Sequence, residues 1–116
     1  MSNVVIYHNP SCGTSRNTLA LLREKGIEPQ VVEYLKAGWT KAQLEDLATR
    51  MGGSVRDILR VRGTKAEELG LTDPSVSDEA IIAAMIIDPI LVNRPIVATS
   101  KGAALCRPAE LVLGLI

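Results

Sequence analysis

Cys12 has both the chemistry and the setting of a nucleophile. It stands in His8-Asn9-Pro10-Ser11-Cys12-Gly13-Thr14-Ser15-Arg16, between a β-branched run and a helical pattern. A thiol at a helix start faces unpaired N–H groups and the positive end of the helix dipole. Both favour the thiolate, which is the reactive form. Gly13 lets a substrate approach the backbone beside the sulfur. Ser15, three residues on, can turn its hydroxyl back toward the sulfur as a donor. His8 reads equally as a turn histidine or as a group tuning Cys12, and Arg16 adds positive charge nearby. The alternative, Cys12 as a small buried hydrophobe at a helix end, fits poorly with polar Asn, Ser, Gly and Thr neighbours. A Cys–His acyl-transfer reading has no accompanying protease motif.

The spacing is Cys-x-x-Ser, so no second thiol stands locally to close a disulfide. The other cysteine, Cys106, follows Ala103-Ala104-Leu105 and reads as a packed core residue. A one-cysteine redox cycle then needs an external thiol.

Arginines form the second group. Arg94 precedes Pro95 and Arg107 precedes Pro108, and each proline holds the residue before it out of the helical region. A planar guanidinium fork suits a tetrahedral oxyanion, which it can bind through two parallel hydrogen bonds. Arg56 and Arg60 mark one face of a short helix, and spacing alone leaves Arg60 open between a binding and a solvated role. Arg16, Arg23, Arg50 and Arg62 read as solvated surface charges.

The chain around these residues has 116 positions, with 13 Lys+Arg against 13 Asp+Glu. That length fits one domain, residues 1–116, with a real core. Balanced charge argues against a nucleic-acid binder, which displaces counterions with excess Lys and Arg. Without Phe and with one Trp and two Tyr, a base-stacking platform is not expected. No apolar run approaches the roughly 20 residues needed to span a membrane. Met1-Ser2-Asn3 lacks the basic start of a secretory signal. Two cysteines are too few for a disulfide scaffold, and one histidine is too few for a typical structural zinc site. These features point to a cytoplasmic domain with reduced thiols and no metal.

The elements that must position Cys12 follow from local patterns. Val4-Val5-Ile6-Tyr7 reads as a strand, 8–11 as a turn, 17–25 as a helix closed by Gly26, and 30–35 as a second strand. This is a β-α-β unit with a right-handed crossover. Thr40-Lys41-Ala42-Gln43 is a capping box opening a helix to Met51. Short helices are expected over 54–60 and 64–70, and a longer one from Ser77 to about Ile87, stopped by Asp88-Pro89. Residues 39–88 thus read as a helical insertion without strands. Pro95–Thr99 and Ala103–Cys106 read as a hairpin, and Pro108 opens a last helix with Pro at its first position and Glu110 at its third. The order β-α-β, helical insertion, β-β-α is that of an α/β, thioredoxin-like fold with the active cysteine at the first helix.

Four segments together resemble a known family. They are His8–Thr18, Ser54-Val55-Arg56 with Arg60, Pro89–Val97, and Leu105–Glu110. They are similar, in order and over essentially the whole chain, to the glutaredoxin-coupled arsenate reductases of the ArsC/Spx family. The resemblance implies the same thioredoxin-like fold, with Pro95 at the place of a cis proline facing the cysteine. It implies that Cys12 attacks arsenate, that Arg60, Arg94 and Arg107 bind the oxyanion, and that His8 and Ser15 help hold the thiolate. It implies glutathione as co-substrate, glutaredoxin as partner and no bound cofactor. Family members often continue past the last helix, whereas this chain stops at Ile116. Two other readings stay open: a Spx-type regulator that contacts RNA polymerase, and a glutathione-dependent reductase with a different substrate. The regulators often carry Cys-x-x-Cys, so Ser15 with the Arg94 and Arg107 motifs favours the reductase.

Overall fold

The computed structural model describes residues 4–116; Met1-Ser2-Asn3, read above for a secretory signal, lie outside them. The chain divides into two compact units, one built from the chain up to Ala37 together with Arg94–Ile116, the other from Gly38–Asn93.

The first unit carries the sheet. β1 (Val5–His8) and β2 (Gln30–Glu33) are parallel, joined by helix α1 (Gly13–Glu24). A short helix, α2 (Tyr34–Ala37), follows β2 without a break. β3 (Ile96–Thr99) runs antiparallel to β1, and β4 (Gly102–Leu105) antiparallel to β3, giving the order β2-β1-β3-β4. This is the mixed α/β sheet expected of a thioredoxin-like fold.

β3 is buried at all four positions, as a central strand covered on both faces should be. Val4, Ile6, Leu22, Val97, Cys106 and Val112 form the core of this unit, with Leu19, Leu21 and Ile27 packed against it. Fully burying a side chain such as Ile6 contributes about 1.5–3 kcal/mol. On α1 the buried face is Ser15, Thr18 and Leu22, at spacings of three and four. Thr18 meets its own hydroxyl's demand by donating to the carbonyl of Thr14 at 2.9 Å.

The second unit holds α3 (Lys41–Arg50) and α4 (Asp78–Ile87), with 3-10 turns at Val55–Ile58 and Pro89–Leu91. The Thr40 capping box forms as expected. Gln43 N donates to Thr40 Oγ1 at 3.1 Å, and Thr40 N donates to Gln43 Oε1 at 2.9 Å. An isolated antiparallel bridge joins Leu59 to Val92, with Arg60 N donating to Leu91 O and Asn93 N to Ile58 O, both at 2.7 Å. Arg56 clamps the irregular stretch beyond, donating to the carbonyls of Leu71, Asp73 and Val76.

Four local readings are corrected. α1 begins at Gly13, not Asn17, because Cys12 already acts as its N-cap. The second strand stops at Glu33, since its partner β1 ends at His8 and the chain turns away at Asn9-Pro10. Tyr34 and Leu35 therefore have no strand to pair with, and coil into α2. Residues 64–70 form turns, not a helix: Gly70, at φ 72°, stops the chain after a single turn, with Leu71 N donating back to Ala66 O. The last helix is a 3-10 helix over Ala109–Leu115 with Pro108 just before it. Its buried residues, Ala109 and Val112, are three apart, the spacing that eclipses in a 3-10 helix.

Candidate active site

The site belongs to the sheet-bearing unit and lies at the C-terminal end of β1. Cys12 is the N-cap residue of α1, in extended conformation (φ −95°, ψ 120°). Its N–H donates to Asn9 O at 3.0 Å, closing the turn, while its carbonyl accepts the first helical bond from Arg16 N at 3.0 Å. The sulfur, partly exposed, thus faces the unpaired N–H groups of the first helical turn.

The hairpin brings both proline-linked arginines to this place. Ile96 pairs with Leu105, and Cys106 N donates to Pro95 O at 2.9 Å, so Arg94 and Arg107 flank the hairpin's open end. β1 ends beside it, with Tyr7 opposite Ile96. Arg107 Nη1 lies 3.7 Å from Cys12 Sγ and donates to the carbonyl of Arg94 at 3.0 Å. The Arg94–Pro95 and Arg107–Pro108 peptides are both cis.

Burial alone would push the Cys12 thiol up. The Ser15 backbone N–H and the guanidinium groups of Arg94 and Arg107 outweigh it, holding the thiol below its ordinary value. Cys106 is the opposite case. It is fully buried in the core, and desolvation leaves its thiol pushed up to about 12. These surroundings favour the anion at Cys12 and the neutral thiol at Cys106.

Ser15 acts differently from the expectation. Its hydroxyl is fully buried and turned away from the sulfur: it lies 2.6 Å from His8 Nδ1 and accepts from Asn9 N at 3.1 Å. Its backbone, not its side chain, serves Cys12. His8 is itself buried, and desolvation lowers its pKa more than the Glu33 carboxylate raises it. The imidazole and the hydroxyl share this hydrogen bond, with the His8 tautomer setting which of the two donates. His8 therefore holds Ser15, and Ser15 holds the helix start on which Cys12 sits.

Asn9 was missed in the sequence. It is buried, its Oδ1 accepts from Ser11 N at 3.0 Å, and its backbone bonds both Ser15 and Cys12. The available signal was Asn before Pro in a turn, where the side chain imitates a backbone carbonyl. Arg60 lies in the other unit. Its Nε donates to Arg62 O at 3.1 Å and its Nη1 to Asn93 Oδ1 at 3.3 Å.

The sequence pattern of the ArsC family matches residues 7–115. Over 113 residues the chain is 55% identical to the arsenate reductase of Rhizobium meliloti (strain 1021), covering 97% of this chain and 81% of that protein. Over all 116 residues it is 49% identical to the arsenate reductase of Escherichia coli (strain K12), covering 82% of that protein. In three dimensions it is similar to an arsenate reductase from Vibrio cholerae, with a TM-score of 0.93, 43% identity and 98% of each chain covered. A cysteine at a helix start, with guanidinium groups from a hairpin acting on its sulfur, is thus found on a sequence that matches one family over residues 7–115: the chain belongs to the ArsC family.

Proposed function

We propose that the protein is an arsenate reductase that draws its electrons from glutathione and glutaredoxin. The observation that carries this reading is the Arg107 guanidinium 3.7 Å from the Cys12 sulfur, whose thiol is held below its ordinary value. An anion is normally stabilised by one such group. Here Arg94 acts on the same sulfur, leaving positive charge in reserve for a second, incoming anion. The relatives named arsenate reductase supply the substrate.

The Cys12 thiolate attacks arsenic(V). One arsenate oxygen takes up two protons and leaves as water, and a sulfur–arsenic bond forms. Arg94 and Arg107 bind the oxyanion, and the family resemblance implies the same role for Arg60. A glutathione thiolate then attacks the Cys12 sulfur. A disulfide forms, the sulfur–arsenic bond breaks, and its electron pair stays on arsenic, which departs as arsenite. Glutaredoxin attacks the glutathione sulfur and returns Cys12 as thiolate. Two thiols become one disulfide as arsenic(V) becomes arsenic(III).

The test is arsenite formation from arsenate with glutathione and glutaredoxin, with and without the protein. Arsenite appearing with wild type but not with Cys12→Ser is the expected result. Arsenite formed at the same rate by both, or by neither, removes the reading.

A further inference from the structure

Arg16 reads in the sequence as a solvated surface charge, and its exposed side chain is tied to its own segment of backbone. Nη1 donates to the carbonyl of Pro10 at 2.8 Å, folding the side chain back over the loop that carries Cys12. A Cβ at Gly13 would stand 3.7 Å from Arg16 Nη2, so the guanidinium covers the residue next to the nucleophile. Arg16 is exposed. Among the described residues, that carbonyl is the one hydrogen-bond partner of its side chain, and no carboxylate pairs with it. The remaining N–H groups of its fork are open to a ligand. Arg94 and Arg107 act on the sulfur.

We infer that Arg16 is the docking cation for the carboxylate of the small thiol that attacks the Cys12 sulfur. The ligand class is a carboxylate-bearing, low-molecular-weight thiol. The inference rests on the glutathione reading above and gives that co-substrate its place on the solvent side of the loop. Arg16 exchanges no electrons or protons. Its positive charge raises the local concentration of an anionic thiol beside the sulfur, and the fork can take a carboxylate through two hydrogen bonds.

The test needs no arsenate. Cys12 is loaded as the disulfide with 2-thiopyridine, an uncharged leaving group, and its release is followed with three thiols: 3-mercaptopropionate, 2-mercaptoethanol and cysteamine. Attack on the Cys12 sulfur forms a new disulfide and breaks the old one, expelling 2-thiopyridine with its electron pair. Arg16→Gln should slow 3-mercaptopropionate relative to 2-mercaptoethanol by about 3- to 5-fold, the range of a screened ion pair, and should not slow cysteamine. Arg16→Lys should keep most of the preference, and added salt should erode it in wild type. With glutathione in the arsenate assay, Arg16→Gln should raise the KM for glutathione and leave that for arsenate unchanged. An equal slowing of all three thiols would make Arg16 a loop strap only. No change with any thiol would make it a bystander. The functional reading fails separately, if wild type forms no arsenite while the thiol preference persists.

Discussion

A cysteine's reactivity is set by what faces its sulfur. Cys12 faces the Ser15 N–H and two guanidinium groups, whereas Cys106 lies among Val97, Val112 and Ile6. Alkylation with iodoacetamide should therefore modify Cys12 alone in the native protein, with its rate rising half-way below the ordinary thiol value. Cys106 should react only after unfolding. The stability consequence of Cys106 has a definite sign. Its folded pKa is raised to about 12, so the folded state keeps a proton that the unfolded state loses first. That contribution is complete below the unfolded value of about 9 and is lost as pH rises toward about 12. Denaturant midpoints of wild type and Cys106→Ala should converge or cross over this window; parallel curves would refute the assignment. Arg94→Lys and Arg107→Lys keep the charge but replace the planar fork by a point charge. Each should lower kcat/KM for arsenate on the order of 10²-fold, as losing one oriented donor at a developing anion does. Near-normal values in both would remove the oxyanion-clamp role.

At the scale of elements, sequence legibility followed local chemistry. The Thr40 capping box, the start of α4 at Ser77 and the hairpin turning at Ser100-Lys101 are written in a few adjacent residues, and all three form. A further cap of this kind gives a sharp test. Ser54 N donates to Asp57 Oδ2 at 2.8 Å, and a Cβ at Gly53 would come within 2.2 Å of that same oxygen. Gly53→Ala must swing the Asp57 carboxylate aside and lose the bond, costing about 0.5–2 kcal/mol. The same change in an Asp57→Ala background should cost almost nothing, and an equal cost in both backgrounds would refute the mechanism. The misread elements depend on distant partners. β2 stops at Glu33 because β1 stops at His8, a limit no residue near Tyr34 encodes. Residues 64–70 have helix-forming composition, yet Gly70 at positive φ and the buried Ala66 and Leu71 hold them as turns. At the site, Cys12, Arg94 and Arg107 were visible because a helix start and two X-Pro steps mark them locally. The true partner of the Ser15 hydroxyl was not, since His8 reaches it only once β1 and α1 are placed together.

At the scale of the molecule, the charge balance of 13 against 13 leaves no net field to draw an oxyanion in from a distance. Anion affinity must come from groups fixed at short range, such as the hairpin arginines beside Cys12. The same whole-chain view bears on the proposed electron source. The sequence holds two cysteines. One of them, Cys106, is fully buried with its thiol pushed up to about 12, so burial and protonation both oppose its attack on an intermediate. Closing a Cys12–Cys106 disulfide would pull Cys106 out of the core that Ile6, Leu22 and Val97 share with it. The proposed function accordingly has each turnover export its oxidising equivalents as a mixed disulfide with an external thiol. Acid quenching during turnover, followed by mass spectrometry, should find glutathione attached at Cys12 and Cys106 reduced. Cys106→Ser should retain most activity, with a stability loss of about 1–3 kcal/mol if the buried hydroxyl stays unpaired. Full-rate turnover with thioredoxin alone, together with an accumulating Cys12–Cys106 disulfide, would overturn the single-cysteine cycle. The core would then have to open during catalysis, and hydrogen exchange at Val97 and Ala104 would speed up in the presence of arsenate.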